Sequence, residues 1–194
     1  MKKLFIAVFV LLGGALHGQN VETLAGENIT LGGFGGPVIQ GTSINGETSV
    51  LLGGEGAFLI NHTFGIGGGG YGLINGADCT DNRIRKKLHF GYGGVKFYYI
   101  SDYEKLFHIT AGLLLGGGGV EEENEYDRDE NEEEHEYGLL VIVPSLGVEL
   151  NVVKFFRIGI SANYRYVHGI DSPYYSDSDF SGFSASLFLK FGKF

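Results

Sequence analysis

The densest concentration of reactive side chains lies between Glu121 and Glu136, where eleven Asp or Glu residues stand with a single Arg. Carboxylates at alternate positions, as in Asp127, Asp129, Asn131 and Glu133, have the spacing of calcium ligands. An EF-hand would also need Gly at the sixth position and Glu at the twelfth, and here those are Glu132 and Gly138. The EF-hand is therefore excluded. What remains is a weaker Ca²⁺ site at Asp127, Asp129 and Glu133, or a field that attracts a basic or cationic extracellular partner. The plainer alternative is a solvated, self-repelling loop.

Other constellations carry less chemistry. Gly65, Gly67 and Gly70 match the spacing of a phosphate-binding loop, but such a loop must open a helix. Tyr71, Gly72, Leu73 and Ile74 continue as strand instead. His168, Asp171 and Ser172 have the residue types of a hydrolytic triad, yet neighbours on one loop do not converge without a scaffold. No catalytic residue is assigned and no enzyme is expected. Arg83, Arg85, Lys86 and Lys87 offer cations to lipid phosphates or to the acidic segment. Tyr174 and Tyr175 suit surface contact. A last set, Glu55, His89, Lys96, His108, Glu149, Arg157, Arg165 and Lys190, lies within apolar segments, where charges must be paired or hydrated.

The elements that hold these residues follow from the rest of the composition. The formal charge is -9, and the acidic segment alone carries -10, so the remaining chain is close to neutral. Glycine numbers 34 of 194 residues, with 24 of them between Ile29 and Gly119. That excess excludes an ordinary helical protein, because each interior glycine weakens a helix by about 1 kcal/mol. There is no Gly-X-Y period, so the chain is not collagen. Cys79 is the one cysteine and forms no internal disulfide. No nucleic acid is expected as a partner.

Residues 1-18 read as a secretory signal peptide: Lys2 and Lys3, an apolar run from Leu4 to Leu12, then small and polar residues. Cleavage after Gly18 or Ala15 fits, and residues 19-28 form a periplasmic N-terminal segment. The apolar run is shorter than the ~20 residues of a spanning helix.

From residue 29 onward the pattern has period two. Phe156, Ile158, Ile160, Ala162, Tyr164 and Tyr166 alternate with Arg157, Gly159, Ser161, Asn163 and Arg165. Similar alternation places strands at about Ile29-Gln40, Ser49-Asn61, Thr63-Ile74, Lys87-Ile100, Leu106-Gly118, Leu140-Asn151, Phe155-Val167 and Phe183-Phe191. These are longer than the ~5-6 residues of an ordinary strand and sufficient for the ~9-11 tilted residues that cross a bilayer. Short turns near Asn61-His62, Ser101-Lys105 and Val152-Lys154 alternate with long polar connections at Asn75-Lys86, Val120-Glu136 and His168-Asp179. The first connection, with Asn45-Gly46, is a tight hairpin.

Aromatic residues gather at both ends of the strands, as interfacial girdles require. Phe58, Phe64, Phe97, Tyr99, Phe107, Phe156 and Phe191 mark one end, and Tyr71, Phe90, Tyr92, Tyr164, Tyr166, Phe180 and Phe183 the other. The aromatic parity changes after Tyr92, which predicts a bulge at Gly93-Gly94. A turn centred on Val153 sets Glu149 opposite Arg157 as an interior ion pair. Phe194 stands in register with Lys190 and Gly192, not with Phe191.

Residues 29 to 194 resemble the small eight-stranded outer-membrane barrels, the group that includes the OmpA transmembrane domain and OmpX. The stretches Gly32-Gly33-Phe34-Gly35-Gly36-Pro37 and Asn61-His62-Thr63-Phe64-Gly65-Ile66-Gly67-Gly68-Gly69-Gly70-Tyr71 also look like uncharacterised secreted bacterial barrel proteins. The resemblance implies an all-β, antiparallel, up-and-down transmembrane barrel domain in the cell outer membrane, in contact with outer-membrane lipid and delivered by the barrel-assembly machinery. The expected role is structural or a surface interaction through long loops, with Glu55, Glu149, Arg157, Arg165 and Lys190 filling the lumen as an ionic network. The competing readings are a membrane-embedded lipid-binding or lipid-modifying barrel enzyme and a soluble lipocalin-like barrel.

Overall fold

The computed structural model describes residues 29-74, 77-81, 84-124, 137-170 and 175-194. The signal peptide, the segment 19-28, Asp127, Asp129, Glu133, Asp171 and Ser172 lie outside the described residues. Strands run β1 (Leu31–Ile44), β2 (Glu47–Ile60), β3 (Phe64–Leu73), β4 (Ala77–Asp81), β5 (Ile84–Ile100), β6 (Phe107–Asn124), β7 (Tyr137–Val153), β8 (Phe156–His168) and β9 (Gly182–Lys193). One short helix, α1 (Asp177–Phe180), precedes β9.

All described pairings are antiparallel between neighbours, and β9 returns to pair with β1. Both β3 and β4 pair with β5, so they form one interrupted strand of the wall. The result is a closed, eight-stranded, up-and-down barrel, which leaves no free edge along its closed wall.

The alternation in sequence becomes inside and outside. Along β8, Arg157, Asn163, Arg165 and Val167 point inward and are buried, while Ile160, Tyr164 and Tyr166 are exposed on the outer wall. The exposed set also includes Leu31, Phe58, Phe64, Phe107, Leu146, Leu187 and Phe183. A polar interior wrapped in an apolar exterior inverts the soluble arrangement. It also removes the lipocalin reading, which required those aliphatic faces to turn inward.

Glycine has two distinct situations. On the concave face the strands crowd: a Cβ on Gly36 would collide with the Leu189 carbonyl of β9. On the convex face the space varies: a Cβ at Gly93 would meet the Gly69 carbonyl oxygen at 2.9 Å, whereas one at Gly35 would meet nothing nearer than the Glu55 carbonyl oxygen at 3.8 Å. The register lines up Gly54, Gly70, Gly93 and Gly117 across β2, β3, β5 and β6, so part of the outer wall is bare backbone. The Asn45-Gly46 turn has φ of 51° and 79°, the left-handed pair that a tight hairpin requires.

Three expectations are corrected. The Gly93-Gly94 bulge is absent: β5 pairs in unbroken register with β3 and β6 through both residues. Phe90 and Tyr92 therefore share the inward face with Tyr98 and are buried, whereas His89 faces out. The irregularity lies instead at Asn151-Val153, where β7 slips against β8. Arg157 consequently pairs with Asn151 and Glu149 with Gly159. Finally, the segments expected as polar connections at 75-86 and 120-124 are largely strand, because β4 to β6 continue past the apolar belt.

Candidate functional site: the barrel lumen and its loop end

The interior divides into layers, beginning at the end with the short turns. There Phe34, Ala57, Leu59, Tyr98 and Ile100 form a small apolar cluster, with Tyr103 and Phe194 against it. Phe194 lies on the lumen side, stacked on Phe34 with ring centroids 6.0 Å apart and 3.9 Å from the Arg157 guanidinium carbon. Asn151, freed by the slip in β7, donates its side-chain amide to the carbonyls of Tyr103 (2.9 Å) and Lys105 (2.8 Å). The short turns are thereby tied to the wall.

Above this floor is an ionic layer. Lys96 Nζ donates to Glu55 Oε2 at 2.5 Å, and Lys190 Nζ donates to Glu149 Oε1 at 2.5 Å. Lys190 also lies 3.8 Å from Glu55 Oε1 and so joins the two pairs. Arg157 Nη1 approaches Glu149 Oε2 at 3.7 Å, and His108 Nε2 lies 3.2 Å from the same oxygen. Tyr71 donates its hydroxyl to Glu55 at 3.2 Å. Different strands around the wall supply these groups, and adjacency in sequence predicts none of the contacts except that between Glu149 and Arg157. Their pair forms diagonally instead of directly opposite. Buried charges at such distances are tolerable only when every one has a partner.

A layer of amides and hydroxyls follows. Tyr92 donates to Gln40 Oε1 (2.8 Å), Gln40 Nε2 to Ser184 (2.6 Å), and Asn163 Nδ2 to Ser184 (3.3 Å) and Ser186 (2.8 Å). Between this ladder and the ionic layer is an enclosed cavity of about 20 Å³, lined by Gln40, Glu55, Tyr92, Lys96 and Asn163 among others. That is the room of about one water molecule.

The loop end is apolar and closed. Phe90, Tyr92 and Phe180 pack with Ile44, Leu51, Val120, Val141 and Val167 in one buried cluster. The sequence pattern assigns Tyr71, Phe90, Tyr92 and Phe180 to an outer girdle; they line the lumen instead. Of the seven aromatics expected in that girdle, Tyr164, Tyr166 and Phe183 face outward. The aromatics at the opposite end, including Phe58, Phe64 and Phe107, do face outward. Of the interior charges named from sequence, Glu55, Glu149, Arg157 and Lys190 come together. Arg165 does not: it stands in the apolar layer, with Nε donating to the Phe180 carbonyl at 2.6 Å.

Phe180 reaches that position through α1, whose start is signalled by Ser176 and Asp179 as a capping pair. The segment is anchored from outside. Asp177 accepts hydrogen bonds from the Gly169 (3.0 Å) and Ile170 (2.9 Å) amides and lies 2.8 Å from His168 Nδ1. The Ile170 amide above all, with His168 and the Gly169 amide, holds the Asp177 carboxyl below its ordinary value against slight desolvation. His168 is thus occupied by an acid of its own loop.

A closed wall of eight antiparallel strands, apolar outside and charged within, defines the class: this is the fold of the small eight-stranded outer-membrane barrels. Among solved structures, Neisserial surface protein A is similar at a TM-score of 0.56 and 11% identity, covering 86% of this chain and 99% of that one. Ail, the attachment invasion locus protein of Yersinia pestis, is similar at 0.52 and 13%, covering 84% and 97%. A major outer membrane protein from Thermus thermophilus gives 0.55 and 8%, covering 83% and 98%. These neighbours are bacterial outer-membrane proteins, in agreement with outer-membrane localisation. The sequence matches no protein-family model and no curated protein.

Proposed function

We propose that this chain is an outer-membrane barrel that acts at the cell surface through its loops, without catalysis and without a diffusion pore. The observation that carries this reading is the filled lumen: among the described residues an ionic layer and two apolar layers occupy the interior, and the cavity between the ionic layer and the amide ladder is about 20 Å³. Eight strands give a bore that side chains can fill. The termini of the barrel lie with the short turns on the periplasmic side, and the long connections face outward. On this reading the lipid of the outer membrane and the assembly machinery are obligatory partners. The acidic segment, with Asp127, Asp129 and Glu133, is the surface offered to Ca²⁺ or to a cationic partner.

Two measurements test the proposal. Planar-bilayer recording of the refolded barrel is expected to show no sustained conductance; stable open channels would refute the filled lumen. Ca²⁺ titration of the wild type against a variant neutralised across Glu121 to Glu136 tests the loop. Equal responses would remove Ca²⁺ from the reading.

A further inference from the structure

Among the described residues the lumen holds four basic side chains, Lys96, Arg157, Arg165 and Lys190, against two acidic ones, Glu55 and Glu149. Both carboxylates are engaged in the ionic layer by Lys96, Lys190 and Arg157. Arg165 is left over. It is 0% exposed, no well-aligned hydrogen bond satisfies its terminal nitrogens Nη1 and Nη2 although the Tyr92 hydroxyl lies beside the guanidinium, and among the described residues it has no ion-pair partner. Its guanidinium carbon lies 5.1 Å from the Phe90 ring centre and 5.7 Å from that of Tyr92. The aromatic faces offset part of the lost hydration of the cation, and the Tyr92 hydroxyl, which donates to Gln40, adds one neutral acceptor beside a fork built for two charged ones.

What faces this guanidinium is Phe180. Its carbonyl oxygen takes the Nε proton at 2.6 Å, and its ring enters the apolar cluster 5.2 Å from Phe90. One residue thus presents an apolar ring and a single acceptor oxygen. A carboxylate on an apolar tail has the same outline with a second oxygen, and the planar fork of Arg is matched to two. The Phe180 segment is a four-residue helix outside the ladder of the wall. Outside the Phe180 ring, its ties are hydrogen bonds such as Asn45 N to Asp179 O (2.7 Å), Val167 N to Ser181 Oγ (3.0 Å) and those to Asp177.

We propose that the loop-end chamber is a binding site for a small carboxylic acid bearing an apolar tail, and that Phe180 occupies the ligand's place in the closed state. Arg165 pairs with the carboxylate, the walls around Ile44, Leu51, Val141 and Val167 receive the tail, and α1 withdraws. The site needs no pore, since the ionic layer beneath it stays filled. Because the ligand must displace Phe180, its apparent affinity falls by the fraction of time the chamber is closed.

The test uses the whole barrel in lipid nanodiscs and 3-phenylpropanoate, whose ring and carboxylate copy the Phe180 fragment. The uncharged 3-phenylpropan-1-ol is the comparison, and calorimetric titration at neutral pH is the readout. Asp177→Ala, which frees the segment, is expected to bind the acid about tenfold tighter than wild type. It is expected to prefer acid to alcohol by about tenfold or more. Arg165→Met abolishes that preference and Arg165→Lys restores part of it. Absence of saturable acid binding to Asp177→Ala, or equal binding of acid and alcohol, overturns the proposal. The comparison of acid with alcohol on Asp177→Ala decides the matter even if Arg165→Met does not fold. Bilayer conductance is a separate measurement, so failure here leaves the closed-barrel reading standing.

Discussion

Gly35 and Gly36 are neighbours on β1 that point to opposite sides of the wall, and replacing each by Ala separates the two causes of the glycine excess. At position 36 the new methyl would collide with the Leu189 carbonyl of β9. A carbonyl in a paired strand cannot move aside without loosening the β1 and β9 ladder, so overpacking of about 1–3 kcal/mol is expected. At position 35 the nearest heavy atom is 3.8 Å away, an ordinary contact. There the reduced freedom of the unfolded chain leaves a gain of about 0.4–1 kcal/mol. The two variants should therefore differ by about 1.4–4 kcal/mol, with opposite signs against wild type. Urea unfolding of the barrel from lipid vesicles, followed by intrinsic fluorescence and by heat-modifiable gel mobility, reads that difference. Equal destabilisation by both substitutions would refute the division between a crowded inner position and an open outer one.

Other perturbations have definite expected outcomes. Glu149→Ala leaves Lys190 and Arg157 short of their shared acid and should cost about 3–5 kcal/mol in the same assay; a neutral result would show that the ionic layer is hydrated. Asn151→Ala removes two hydrogen bonds from the short turns and should cost about 1–2 kcal/mol; an unchanged midpoint would assign the turn geometry to its backbone alone. Asp177 has a carboxyl lowered in the folded state. Its stabilisation of the connection between β8 and β9 is therefore complete above its unfolded value near 3.8 and is lost as pH falls through the lower folded value. Amide exchange at Gly169 and Ile170 should accelerate in that acid window, and Asp177→Asn should remove the pH dependence. Acid-independent exchange in the wild type would contradict the clasp.

Strand number, antiparallel order and the inward parity of β7, β8 and β9 were legible in the sequence, because a bilayer and a polar lumen impose a strict period of two. Phe90 and Tyr92 defeated that logic for a physical reason. The loop end of the interior is an apolar layer and not a polar lumen, so an aromatic ring there is buried facing in. The slip at Asn151-Val153 carries no distinctive residue, since Val152 and Val153 suit a regular strand equally well. The contacts of Glu55 with Lys190, or of Glu149 with Lys190, join strands that are not neighbours in the sheet. They depend on the radius of the barrel, which no local pattern encodes. The Ser176 and Asp179 pair was the one local signal of α1.

Lys190 sits on β9, the strand that closes the ring by pairing with β1 and β8. Until that strand docks, Glu149 and Glu55 wait without the cation they share. Closing the seam thus brings in the cation that bridges two ion pairs already balanced in charge, Lys96 with Glu55 and Arg157 with Glu149. The joined network is therefore a property of the closed ring, and an open wall lacking β9 holds two separate ion pairs in its place.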